Sequence, residues 1–233
     1  MKHLSRAALA IAVCALLGAL ALASCSPRRA HAAAAAGSGR RFELDIVPGP
    51  HYLHSVGFLF FRIRIYPQLA CWIESPDGKY VDTIFVTTKV GRKKWFGAPS
   101  AGRPEALPVW SHARDQAPLN TDAVSGATPA GSVRVGSPLA AGLSAGTYVV
   151  KLEVNSSFDY NERYTRANSG VNGQPSIVYM GRIDVGKGEA ETDLTAIGTG
   201  SVDGADGDIR PGLEGITTAR EMLQSARILY HDR

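Results

Sequence analysis

Cysteine is nearly absent from this chain, with three in 233 residues. Cys14 lies inside an apolar leader, Cys25 at the leader's end, and Cys71 alone in Leu69-Ala70-Cys71-Trp72-Ile73. Loss of the first and modification of the second leave a single thiol. No intramolecular disulfide can then staple the mature chain, even in an oxidising compartment. Cys71, among apolar neighbours, reads as a small buried hydrophobe rather than a redox thiol. An excess of one charge is also lacking, at 25 Lys+Arg against 21 Asp+Glu. Without Lys2 and Arg6 the balance is about +2, too weak to point to nucleic acid. There is no fixed-period repeat, which excludes a solenoid or propeller. There is no nucleophile elbow or triad signature, which removes the hydrolases. Metal ligands are sparse as well. His51 and His54 are spaced HxxH without a Glu or Cys partner nearby. Asp203, Asp206 and Asp208 lie in a Gly-rich stretch without EF-hand spacing and read as a solvated loop.

What is present begins with an export signal. Lys2, His3 and Arg6 form a basic start, and Ala7 to Ala23 is apolar. Roughly 17 apolar residues lie near the lower limit of a membrane span. Leu22-Ala23-Ser24-Cys25 resembles a bacterial lipobox, however, with small residues before a cysteine that becomes the acylated N-terminus. Residues 1–24 are therefore expected to be a lipoprotein signal peptide. Cys25 is expected to carry the lipid, and residues 25–41 to form a flexible tether. A chain of that length reaches roughly 20 Å, and its arginines favour anionic headgroups. This places the protein outside the cytoplasm, anchored to the cell membrane or outer membrane. Ser26 carries no Asp-type retention signal, which favours the outer membrane.

From Phe42 onward the pattern is β. Phe42 to Val47 alternates weakly, and His51 to Tyr66 is a long run rich in Phe, Ile and Leu. Cys71–Glu74 and Tyr80–Thr88 flank Ser75-Pro76-Asp77-Gly78-Lys79, a hairpin signal. Gly146-Thr147 opens the cleanest strand, with Tyr148, Val150, Leu152 and Val154 on one face. Thr147, Val149, Lys151, Glu153 and Asn155 form the other, expected to be partly wet. Ile177–Val185 reads as a further strand. The expected architecture for residues 42–233 is a mainly β, immunoglobulin-like antiparallel β-sandwich with one long loop and at most one short helix. That helix is expected over Ala219–Arg227, capped by Thr218, with a strand over Ala226–Tyr230 as the alternative.

The long loop runs from Val90 to Thr121 and holds Trp95, Arg103 and Trp110. Two tryptophans argue against disorder. They fold back as a plug on the sandwich or form one wall of a site. Directly after the loop comes Asp122-Ala123-Val124-Ser125-Gly126-Ala127-Thr128. Gly126 and Ala127 leave the backbone open to close approach. Asp122 and Ser125 can hold the loop through side-chain to backbone hydrogen bonds. The same residues also suit a plain turn closed by Pro129. The run resembles the D-x-x-S-G-A-T acceptor motif of covalently flavinylated proteins, in which a transferase esterifies the last hydroxyl with FMN. The resemblance implies covalent FMN on Thr128, an FMN transferase and a membrane redox partner, with Trp95, Trp110 and Arg103 as candidate flavin contacts.

A wider set of segments occurs in one order. It comprises Trp72-Ile73-Glu74 with Asp77 to Val81, Arg103-Pro104 with Leu107 to Trp110, and the Asp122–Thr128 motif. Leu152 to Asn155 with Phe158 to Glu162, then Gln174-Pro175-Ser176 with Tyr179, complete it. This set resembles the predicted periplasmic family "domain of unknown function 2271". That implies an exported β-rich protein whose relatives occur beside flavin transferases and membrane redox components. Asn155, Asp159, Asn161 and Glu162 cluster oxygen ligands. Calcium would suit them, although polar loops select the same residues. Two functions of different classes follow: a flavinylated electron carrier that is not itself a turnover enzyme, and a non-catalytic binding or assembly module of the cell envelope.

Overall fold

Alternation of apolar and polar side chains builds the first strand, β1 (Arg41–Pro48), whose Phe42, Leu44 and Ile46 are all fully buried. In the computed structural model, the described residues are 39–58, 60–93, 95, 102–115, 124–126, 128 and 130–233. The leader, Cys25, most of the tether, Lys94, Phe96, Asp122 and Ala127 lie outside them, as does the side chain of Ser125. Ordered contacts begin slightly before the expected boundary. Arg40 donates to the Tyr230 hydroxyl at 2.6 Å and to the Leu143 carbonyl at 2.9 Å, and its guanidinium lies over the Tyr230 ring.

The chain is mainly β, and its core lies between two stacked sheets. Strand β1 pairs with β13 (Leu223–His231) on one side and β7 (Val133–Ser137) on the other. β10 (Ala190–Asp193) completes this four-stranded sheet beside β13. The larger, seven-stranded sheet starts from β12 (Arg210–Pro211), β11 (Thr195–Thr199), β9 (Ile177–Val185) and β8 (Gly146–Asn155). It continues through β4 (Gln68–Glu74), β5 (Tyr80–Thr87) and β6 (Val124–Gly126). Its ladders are antiparallel except at the edge, where β6 runs parallel to β5. A separate hairpin, β2 (His54–Phe58) with β3 (Phe61–Ile65), pairs with neither sheet.

Period-two geometry sends Leu69, Cys71 and Ile73 of β4 and Val150, Leu152 and Val154 of β8 toward β1 and β13, where they join one apolar cluster. Cys71 is fully buried in it, and burial raises its thiol pKa. Tyr148, expected in this set, is only half-buried and gives its hydroxyl to the Ser144 carbonyl.

The opposite face of the large sheet departs from expectation. It is covered over most of its length: Trp72, Glu153 and Asn155 are at most 3% exposed, while Thr147 stays exposed and Lys151 half-buried. The cover is the long loop. It contains a one-turn helix α1 (Thr88–Gly91) and the eight-residue helix α2 (Pro108–Asp115). Val90, Leu107, Val109 and Trp110 pack on Ala70, Trp72, Val86 and Val178 as a second apolar cluster. The loop is thus a third layer.

Two sequence signals resolve cleanly. Asp77-Gly78 forms the β4–β5 turn with Gly78 at φ +81°, and the Ser75 amide donates to the Lys79 carbonyl at 2.8 Å. Lys79 and Ser75 together hold Asp77 down to about 2. The helix over Ala219–Arg227 is corrected: Thr218–Glu221 is a single 3-10 turn, and the rest is β13. Leu223, Ala226, Ile228 and Tyr230 are buried in that strand. Sheet closure against β1 outweighs the local capping signal.

Candidate functional site

Strands β4, β5, β6 and β8 bring one end of the large sheet together. β4 begins at Gln68 opposite Asn155, the last residue of β8, while β5 ends at Thr87 opposite Gly126 of β6. Two residues beyond β6, Thr128 donates its hydroxyl to the Pro67 carbonyl at 3.1 Å and is half-buried. Among the described residues, its hydroxyl thus meets a main-chain oxygen just before β4. Gly126 stands close to Phe85: a Cβ there would lie 3.1 Å from the ring, which would have to give by a few tenths of an ångström. Close by, Thr87 donates to the Gln68 side-chain oxygen at 2.9 Å. Asn155 Nδ2 is buried without a hydrogen-bond partner among the described residues.

The aromatic and cationic residues of the loop meet in one crevice. Trp95, Arg103, Trp110 and Arg114 line it, together with Val90 and Lys93, around about 40 Å³ of space. Arg103 lies over the Trp95 ring at 4.8 Å, and Arg114 over the Trp110 ring at 4.8 Å. Arg103 is strongly held. It donates to Glu105 at 2.8 Å, to Ser157 at 2.9 Å and to Asn172 at 2.6 Å. Ser157 follows β8 by two residues, so Arg103 ties the crevice to the same sheet end as Thr128. The crevice itself is too small to enclose a flavin ring. Trp110 is 2% exposed and gives its indole N–H to Thr83 at 2.9 Å, so it also plugs the sheet. Trp95 is the half-buried, more accessible ring.

Beneath α2 sits a buried carboxylate that the alternation had placed on a wet face. Glu153, fully buried, accepts from the Val109 amide at 3.2 Å, the Trp110 amide at 2.8 Å and the Ser176 hydroxyl at 2.6 Å. Pro108 starts the helix without an N–H to satisfy, and Glu153 takes the next two. Burial pushes the Glu153 carboxyl up to about 7, against the pull of those donors. Gly200 packs tightly here; a Cβ on it would lie 2.5 Å from Ser176 Oγ.

Farther along the covered face, Glu74 accepts from Trp72 Nε1 at 2.8 Å and pairs with Lys151 at 2.8 Å. Both line an open cleft of about 740 Å³ with Tyr80, His112, Asp206 and Asp208. The spacing Trp72-x-Glu74 and Lys151-x-Glu153 carries this network on alternate positions. Once the face was read as solvated, nothing in the sequence distinguished it.

The oxygen-rich loop after β8 is used internally. Asp159 accepts from the Thr218 hydroxyl at 2.5 Å, and Asn161 accepts from the Arg163 and Tyr164 amides at 3.0 and 2.8 Å. Glu162 is exposed. Among the described residues, no three His, Cys, Asp or Glu side chains converge as a metal site. His51 pairs with Glu221 at 3.3 Å, whereas His54 faces Ser156. Among the described residues, no helix is long and apolar enough to cross a membrane. No family model, curated protein or solved structure matches the chain.

Proposed function

We propose that this protein is a membrane-anchored, extracytoplasmic lipoprotein that carries covalent FMN on Thr128 and relays electrons. The observation that carries the reading is the position of Thr128. It ends the D-x-x-S-G-A-T run at an edge strand, at the sheet end to which Arg103 fastens the Trp95 crevice. The residues suit the group on chemical grounds. Among the described residues the Thr128 hydroxyl meets a main-chain carbonyl, a hydrogen bond that esterification can replace. Lys93, Arg103 and Arg114 supply positive charge for the remaining phosphate charge. Asn155 Nδ2 supplies a buried, unpaired donor at the same sheet end. The flavin, when bound, accepts and gives up electrons; the chain would hold it beyond the edge strand β6. Acylation at Cys25 keeps that edge near the membrane. The resemblance to the predicted periplasmic family points the same way.

Co-expression with an FMN transferase followed by intact-mass measurement tests this. A flavin-sized mass gain that disappears in Thr128→Ala is expected. An unmodified mass, beside a second substrate that the same transferase does modify, would overturn it.

The second reading, a non-catalytic envelope binding module, is favoured by the polar cleft along Glu74, Lys151, His112 and Asp206. Its volume is within the range of small-molecule sites. It becomes the better account if Thr128 stays unmodified.

A further inference from the structure

Among the described residues the β2–β3 hairpin pairs with neither sheet, and its chemistry is two-sided. The register sets Val56 opposite Ile63 and His54 opposite Ile65, on the face that Phe61 shares. Gly57 with Arg62 and Ser55 with Arg64 alternate onto the other. Phe60 at the tip is 100% exposed, Phe61 56% and Ile63 43%. Arg62 and Arg64 are exposed as well. These are the largest exposed apolar side chains clustered on one element among the described residues. Contiguous exposed apolar surface of this kind marks an interaction site rather than ordinary scatter.

We propose that this hairpin docks on an anionic lipid bilayer, with its tip sunk into the interface and its arginines at the phosphate level. Two features select lipid over a protein groove. The apolar residues sit at the tip, where a wedge enters a fluid surface. The cations follow directly along the same strand rather than lying across a separate rim. At about 3.3 Å per residue, Arg62 lies roughly 3 Å and Arg64 roughly 10 Å above Phe61. Burying Phe60 and Phe61 by the 5–10 Å typical of interfacial elements therefore brings both guanidinium groups among the headgroups. Arginine is suited to bind phosphate with paired N–H groups. The same two charges blunt the exposed strand edge against pairing with other copies. The proposal does not depend on flavinylation of Thr128 or on acylation of Cys25, because the hairpin's own residues choose the surface.

The full chain carrying Phe60→Trp, placed with vesicles of phosphatidylethanolamine and phosphatidylglycerol brominated on the acyl chains, provides the test. Phe60 is fully exposed, so the substitution leaves the core untouched. The native chain, with Trp72 and Trp110 buried and Trp95 half-buried, is measured with the same vesicles as the background to subtract. The expected result is a blue-shifted added emission, most of it quenched by the bromines, with the quenching lost in Arg62→Gln/Arg64→Gln. Unquenched emission at the wavelength of exposed tryptophan would overturn the proposal, as would equal quenching in purely phosphatidylcholine vesicles. A blue shift that grows with protein concentration without vesicles would assign the tip to a second copy of the chain and overturn it as well.

Discussion

The two faces of the seven-stranded sheet both bury side chains, and they are held by different forces. The face toward β1 and β13 is aliphatic and aromatic, and its stability comes from area removed from water and from close packing. The face toward α2 buries Trp72, Glu74, Glu153, Gln68 and Asn155; Glu153 finds partners in the loop, while Glu74 and Gln68 are matched by neighbouring strands. The first face follows from any sequence with the right period and volume. The second demands particular pairings, since an unmatched buried polar group costs about 1–3 kcal/mol. The apolar face therefore builds the sandwich, while the polar face fixes where the loop and its tryptophans lie.

The largest effect is expected on the apolar face. Leu152 is fully buried between the sheets. Leu152→Ala should cost about 2–5 kcal/mol, from lost transfer energy plus the cavity left behind. Urea unfolding followed by circular dichroism checks this. A loss below 1 kcal/mol would mean that the two sheets do not share one core.

That apolar face was legible in the sequence, and the polar one was not. Val150, Leu152 and Val154 announce themselves by period, and Asp77-Gly78 by turn chemistry, because both are local rules. Strand β13 was hidden because Thr218 and Glu221 mimic a helix start, and only pairing with β1 decides otherwise. Glu153 and Lys151 looked solvent-facing because nothing in β8 says that Pro108–Asp115, dozens of residues earlier, returns to cover them. For the candidate site, the motif ending in Thr128 and the residues Trp95, Arg103 and Trp110 could be named from the sequence. That Arg103 fastens the Trp95 crevice to the end of β8 could not, since it depends on Arg103 reaching Ser157 across 54 positions of chain.

Glu153 gives the second test, and it separates the faces by pH. Its folded-state pKa, raised to about 7 by burial, exceeds the unfolded value of roughly 4.3. The folded state therefore keeps a proton that the unfolded chain has released. The resulting stabilisation is full below the unfolded pKa and is lost as pH rises through about 7. The loss amounts to something on the order of 3 kcal/mol. Glu153→Gln removes the titration, so the variant should gain stability relative to the native chain between pH 4 and pH 8. Leu152→Ala should show no such relative change. Denaturant unfolding at several pH values measures both. A difference between Glu153→Gln and the native chain that stays flat with pH would show that the three donors already hold Glu153 ionised across that range.

The smallest effect sharpens the comparison most. Ser176 touches Glu153 through one 2.6 Å hydrogen bond, and its hydroxyl stabilises the charged carboxylate. Ser176→Ala should cost only about 0.5–1.5 kcal/mol near neutral pH, well below the loss at Leu152. It also removes one of the forces pulling the Glu153 pKa down. The folded-state pKa should therefore move further up, and the upper end of the pH window in which stability declines should move up with it. Burial alone would shift with neither change, so the direction of that movement distinguishes a carboxylate held by specific donors from one that is merely enclosed. A titration of the Glu153 side-chain carboxyl by carbon NMR reads it directly. An unchanged midpoint would mean that the Val109 and Trp110 amides alone set the charge on this face, with Ser176 serving only to fill space beneath Gly200.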